Sequence, residues 1–220
     1  MFNRAEYKAR ALEQLKGRWK GPCLVTAASA VVLFGFEFAS GLLAKSEYGI
    51  ALSQIVGLFF VAAIAIINMV SAYVHLKLSR SRTPITSDDV LVAIGDYSVK
   101  GILGLLWYEL WVFLWALLFY IPGIVKMYAY SQMFFVMIEN PDIGPTKAMN
   151  ISKVLTNGHK ADLFVMDLSF WGWSLLCILS FGIGAIWLVP YMMTAKANAY
   201  TALKTEALES GRLKIADFAK

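Results

Sequence analysis

Apolar side chains run along this chain in six long stretches separated by short polar punctuation. They cover 22–44, 52–76, 101–121, 123–139, 163–181 and 183–203. Each is close to the ~20 residues one helix needs to cross a bilayer. The pattern predicts an all-α membrane protein with six transmembrane helices in three hairpins. Three connections are very short: KSEYG at 45–49, IPG at 121–123 and FGIG at 181–184. Proline and glycine stop one helix and let the chain reverse. Pro122 and Gly123 are therefore read as a hairpin tip, and Pro190 as a kink in the sixth span.

The first twenty residues follow a different rule. Phe2, Ala5, Ala9, Leu12, Leu15 and Trp19 recur at helical spacing, and basic residues fill the other faces. An amphipathic helix is expected over 1–20, lying on the inner leaflet and attracted by anionic lipid. The competing expectation is a helix that caps the cytoplasmic ends of the bundle. The bundle then occupies 21–204, and 205–220 is expected to be a frayed polar tail. Two longer connections carry helix signals. Ser87 is placed as an N-cap ahead of Asp88 and Asp89, with Gly95 as a stop. Pro145 opens a second short helix that Asn157-Gly158 closes.

Charge orients the spans. Eighteen of the twenty Lys and Arg residues fall in the N-terminal segment, in the 77–100 and 140–162 connections, or toward the C-terminus. Only Lys45 and Lys126 fall toward the other side. The positive-inside rule then puts both termini in the cytoplasm of a multi-pass protein. Charged residues make up 16% of the chain, against about 25% in soluble domains, so the net charge of +5 reads as span flanks. No nucleic-acid partner is expected. The expected partners are the lipid bilayer, anionic inner-leaflet lipid, and a protein partner or a second copy of the chain. Cys23 and Cys177 fall at different depths, which argues against a disulfide.

Ionisable groups inside spans are costly and default to functional candidates. The candidate polar set is Glu37, Asn68, Glu109, Lys126, Asp167 and Lys196. Asp167 lies fifteen residues before Gly182 and Lys196 fourteen after it, so the two are nearly level across the last hairpin. Glu109 and Lys126 differ in depth by roughly 13 Å and are not expected to pair. Lys126 points outward, toward Glu37, while Asn68 is closer in depth to Glu109. Trp107, Trp111 and Trp115 form one helical stripe, read as packing or lipid contact. Tyr128, Tyr130 and Tyr191 are read as outer-half anchors. A 60-residue offset relates Leu103 to Leu163 and Trp111 to Trp171, which suggests that the second and third hairpins are parallel copies. No Walker A loop, His-Glu-x-x-His or Gly-x-Ser-x-Gly occurs. No catalytic residue, metal site or cofactor is expected.

Five segments carry a family resemblance: NRAEYKARALEQLKGRW at 3–19, IPGIVKMYAYSQ at 121–132, NGHKADLF at 157–164, SFWGW at 169–173 and FGIGAIWLVPYMMTA at 181–195. In these the chain resembles the uncharacterised bacterial integral membrane proteins known as domain of unknown function nine-seven-five. The resemblance implies a bacterial cytoplasmic (inner) membrane and transfers no residue role. Three functional expectations result. The first is a non-enzymatic membrane module that binds lipid or a partner protein. The second is a small transporter or export component using Glu109, Asp167 and Lys196. The third is an intramembrane enzyme acting on lipid or peptide.

Overall fold

The computed structural model describes residues 2–43, 48–118 and 120–219. Lys45 and most of the expected 45–49 loop lie outside them. The described residues form ten α-helices and a closing 3-10 turn, with no strand among them. In order these are α1 (Arg4–Leu15), α2 (Lys20–Leu43), α3 (Gly49–Arg80), α4 (Ser87–Leu118), α5 (Tyr120–Tyr130), α6 (Met133–Glu139), α7 (Pro145–Leu155), α8 (Lys160–Leu168), α9 (Trp171–Leu179) and α10 (Ala185–Glu209). Five described segments are long and apolar enough to cross a membrane: Lys20–Leu43, Gly49–Arg80, Ser87–Leu117, Ile121–Glu139 and Lys160–Leu179. The expected sixth span is one continuous helix, α10, which is not among the five. Lys196, Asn198, Lys204 and Glu206 lower its hydropathy, and its second half is buried by the rest of the protein.

Several boundaries differ from the sequence expectation for identifiable reasons. Gly95 does not stop a helix, and α4 runs through it without a break. One interior glycine costs about 1 kcal/mol relative to alanine, which the continuous packing of α4 on α3 outweighs. The start of α4 is capped one residue earlier than expected. The Asp89 amide donates to the Thr86 hydroxyl at 3.4 Å while the Thr86 amide donates to Asp89 at 3.0 Å. Pro122 lies in the first turn of α5 rather than closing the helix before it, a position its missing N–H tolerates. Gly123 allows α5 to cross α4 closely, because a Cβ there would stand 3.0 Å from the Cα of Ala116. Pro190 sits inside α10, where the Thr194 hydroxyl donates to its carbonyl at 2.8 Å. The last hairpin turns at Phe181 and Gly182, with φ of 52° and 85°. Gly182 takes this left-handed backbone without steric cost.

The fourth and fifth of these apolar segments are each interrupted, at Ser131-Gln132 and at Ser169-Phe170. α7 stabilises the first interruption. Its Ser152 hydroxyl accepts the Gln132 amide at 3.2 Å and donates to the Ala129 carbonyl at 2.8 Å. The Thr156 hydroxyl reaches the same carbonyl at 3.2 Å.

α1 packs on protein through Tyr7, Ala11 and Leu15, while Ala5, Ala9 and Leu12 of the expected stripe are exposed. Its counterpart is α10, where Ala195 and Ala199 are fully buried and the Asn198 amide donates to Gln14 at 2.9 Å. The expected frayed tail is packed as well. Leu213 and Phe218 are buried in the main core, and Lys204 lies 4.5 Å above the Phe218 ring. Glu139 closes α6 as a shared acceptor. It meets Arg80 of α3 at 2.7 Å and Lys204 of α10 at 2.6 Å, and the Tyr200 hydroxyl donates to it. Cys23 and Cys177 are free thiols.

Candidate functional site

Four of the six expected polar residues converge on one cavity of about 310 Å³. α3 supplies Asn68, α4 supplies Tyr108 and Glu109, α5 supplies Tyr128, α8 supplies Asp167 and α10 supplies Lys196. Ser131, at the interruption between α5 and α6, completes the polar lining. Leu105, Met127, Phe134, Phe135 and Met193 form the apolar wall. The close crossing of α3 and α4 sets the register of the first two elements. A Cβ on Gly101 would come within 3.0 Å of the Ala65 carbonyl oxygen, so glycine lets the helices touch there.

Asp167 and Lys196 lie 3.1 Å apart across the last hairpin, both partly buried. The contact is a charge pair rather than an aligned hydrogen bond. The Tyr128 hydroxyl donates to the second oxygen of Asp167 at 3.3 Å. Tyr128 is therefore a cavity residue. A smaller lobe of about 20 Å³ continues between Tyr128, Gln132, Asp167 and Lys196. Gln132 is buried there, its amide nitrogen donating to Ser131 at 3.0 Å and its carbonyl oxygen unpartnered. Asn68 and Glu109 stand exposed at the open side of the cavity, and neither has an ion-pair partner among the described residues.

Glu37 and Lys126 are not part of this site. Glu37 is exposed on α2. Lys126 does not reach it but lies 4.1 Å above the Trp115 ring, where a cation–π contact offsets part of its desolvation. Trp107 and Trp111 meet edge to face at 5.8 Å against the core, their indole nitrogens unpartnered. His75 is fully buried, its Nδ1 2.6 Å from the Ser71 carbonyl oxygen. His159 stands apart from it, with Asp162 at 3.1 Å and Glu206 at 2.9 Å. Among the described residues no group of three or more His, Cys, Asp or Glu could hold a metal ion.

The fold is that of an all-helical protein with five apolar helices of membrane-crossing length, compatible with a membrane protein. Residues 120–207 match the model of a family described as protein of unknown function (DUF975), so the chain is DUF975-like over that segment. The match takes in Tyr128, Ser131, Gln132, Asp167 and Lys196, while Asn68, Glu109 and the resemblance at 3–19 lie outside it. No curated protein and no solved structure matches the chain.

Proposed function

We propose that this chain is a non-enzymatic, multi-pass protein of a bacterial cytoplasmic membrane, with both termini cytoplasmic. In this reading its polar cavity takes a small solute bearing a positively charged group, as a transporter or export component does. The observation that carries it is the charge inventory of the cavity: Glu109 and Asp167 against Lys196 alone. Asp167 is already paired with Lys196, so Glu109 is the open acceptor. An unpaired carboxylate at the open side of the cavity gains from a cation that arrives with the solute. Asn68, Ser131 and Tyr108 supply neutral donors and acceptors that orient the rest of the molecule.

The test is thermal unfolding of the detergent-purified protein against a panel of primary amines and alkali cations. At least one amine is expected to raise Tm of the wild type saturably, and Glu109→Gln to remove that rise while keeping the basal transition. A panel without effect, or a variant that responds as the wild type does, overturns the proposal.

A second reading, a lipid-binding module, is favoured by a different observation. An apolar groove of about 510 Å³ runs between Leu12, Trp19, Trp173, Leu176 and Trp187, of a chemistry suited to an acyl chain. Native mass spectrometry after gentle release from the membrane separates the two, since a retained lipid mass lost in Trp173→Ala supports the module.

A further inference from the structure

A cleft of about 580 Å³ opens where the turn between α1 and α2 meets the C-terminal end of α3. Five cations line it, Arg10, Lys16, Arg18, Arg80 and Arg82, against one carboxylate, Glu13. Two of the five are answered by acids outside the cleft. Arg10 pairs with Glu6 at 2.8 Å and Arg80 with Glu139 at 2.7 Å. Arg18 is held on backbone, its guanidinium donating to the Ser81 carbonyl at 2.5 Å. Lys16 and Arg82 have no acidic partner among the described residues.

Cations near a helix C-terminus ordinarily answer its free carbonyls. At this helix end two carbonyls already have side-chain donors. The Gln14 amide takes the Ser79 carbonyl at 2.8 Å and Arg18 takes that of Ser81. Among the described residues, neither Lys16 nor Arg82 donates a side-chain hydrogen bond to that helix end. Burial and the neighbouring Arg82 charge hold the Arg18 pKa below its usual value, so like charges are being pressed together. A cluster of that kind is stabilised by an anion placed among its members.

We propose that this cleft binds a phosphate-bearing anion, held between Lys16, Arg18 and Arg82. The planar guanidinium forks of the two arginines suit two oxygens of one phosphate, and Lys16 adds a point charge. The phosphate comes either from an anionic lipid headgroup in the adjacent leaflet or from a free phosphorylated solute. The cleft shares no lining residue with the polar cavity, so the two proposals fail independently.

The experiment is thermal unfolding of the full-length protein in an uncharged detergent at constant ionic strength. The probes are dihexanoyl phosphatidylglycerol, dihexanoyl phosphatidylcholine and inorganic phosphate, on the wild type and on a Lys16→Gln/Arg82→Gln double variant. Both replaced side chains are exposed, so the variant is expected to fold. Phosphatidylglycerol is expected to raise Tm saturably, with an apparent Kd about ten-fold weaker in the variant, and phosphatidylcholine to leave Tm unchanged. An effect of phosphatidylglycerol alone identifies a lipid headgroup. An equal effect of inorganic phosphate identifies a free anion. No response to either anion, or an equal response in the double variant, overturns the proposal. Should the double variant unfold, Lys16→Gln alone carries the same comparison with a smaller loss.

Discussion

Ser152→Ala removes the hydroxyl by which α7 bridges the interruption between α5 and α6. Ser152 is fully buried, and the Gln132 amide that it accepts at 3.2 Å has no backbone acceptor. Losing the hydroxyl leaves that N–H buried and unsatisfied, a cost of about 1–3 kcal/mol. The Ala129 carbonyl suffers less, because Thr156 still donates to it at 3.2 Å. Thr156→Val keeps the side-chain shape, and Ser152 keeps serving Ala129, so this variant is expected to lose only about 0.5–1.5 kcal/mol. Only the double variant strips the Ala129 carbonyl of both hydroxyl donors. Its loss is expected to exceed the sum of the single losses, as coupled sites do by about 0.5–3 kcal/mol. The assay is reversible unfolding in mixed micelles, followed by the fluorescence of the core tryptophans Trp107 and Trp111. A Ser152→Ala loss no larger than that of Thr156→Val, or strict additivity in the double variant, refutes the reasoning.

Two glycines should respond in opposite directions. Gly95→Ala is expected to stabilise the protein by about 0.5–1 kcal/mol, because the position is mid-helix and a Cβ meets nothing within 4 Å. Gly123→Val is expected to destabilise by about 1–3 kcal/mol, because even a Cβ lies 3.0 Å from Ala116. Differential scanning fluorimetry of the two variants checks both signs. Glu206 gives a pH dependence. The hydrogen bond from His159 chiefly, with Arg212 beside it, holds its carboxyl below the usual range, against the opposing effect of burial. A depressed folded pKa means stability that is present above the unfolded value, about 4.3, and lost as pH falls through the folded value. The stability gap between wild type and Glu206→Gln is therefore expected to be full above the unfolded value and to narrow as pH falls below it. A gap that stays constant across a urea titration series from pH 7 to pH 3.5 contradicts this.

What the sequence discloses about the site depends on whether the positioning force is local. Asp167 and Lys196 could be matched from helix rise alone, since both are counted from one turn whose glycine fixes its place. The interruption at Ser131-Gln132 contains neither Pro nor Gly, and its stabilising hydroxyls arrive from a helix some twenty residues further on. No local pattern marks it, so Ser131 and Gln132 could not be placed at the cavity in advance. The buried face of α1 differs from the expected stripe for a similar reason. Its buried stripe is chosen by the small residues Ala195 and Ala199 of α10, which admit Tyr7 and Ala11 closely, rather than by hydrophobicity along α1 itself. Glu139 looked like a span terminus, yet its role depends on Arg80 and Lys204, each distant in sequence.

That shared carboxylate has a consequence for assembly. The chain is made from its N-terminus, so Arg80 and Glu139 both exist before Tyr200 and Lys204 have been synthesised. In the finished fold Arg80 takes one oxygen of the Glu139 carboxylate, and Lys204 and Tyr200, both on α10, take the other. The same Lys204 also lies over the Phe218 ring, so one side chain ties α10 both to Glu139 and to the closing turn. α10 thus works as a latch, closing on a carboxylate that α3 already engages from the other side.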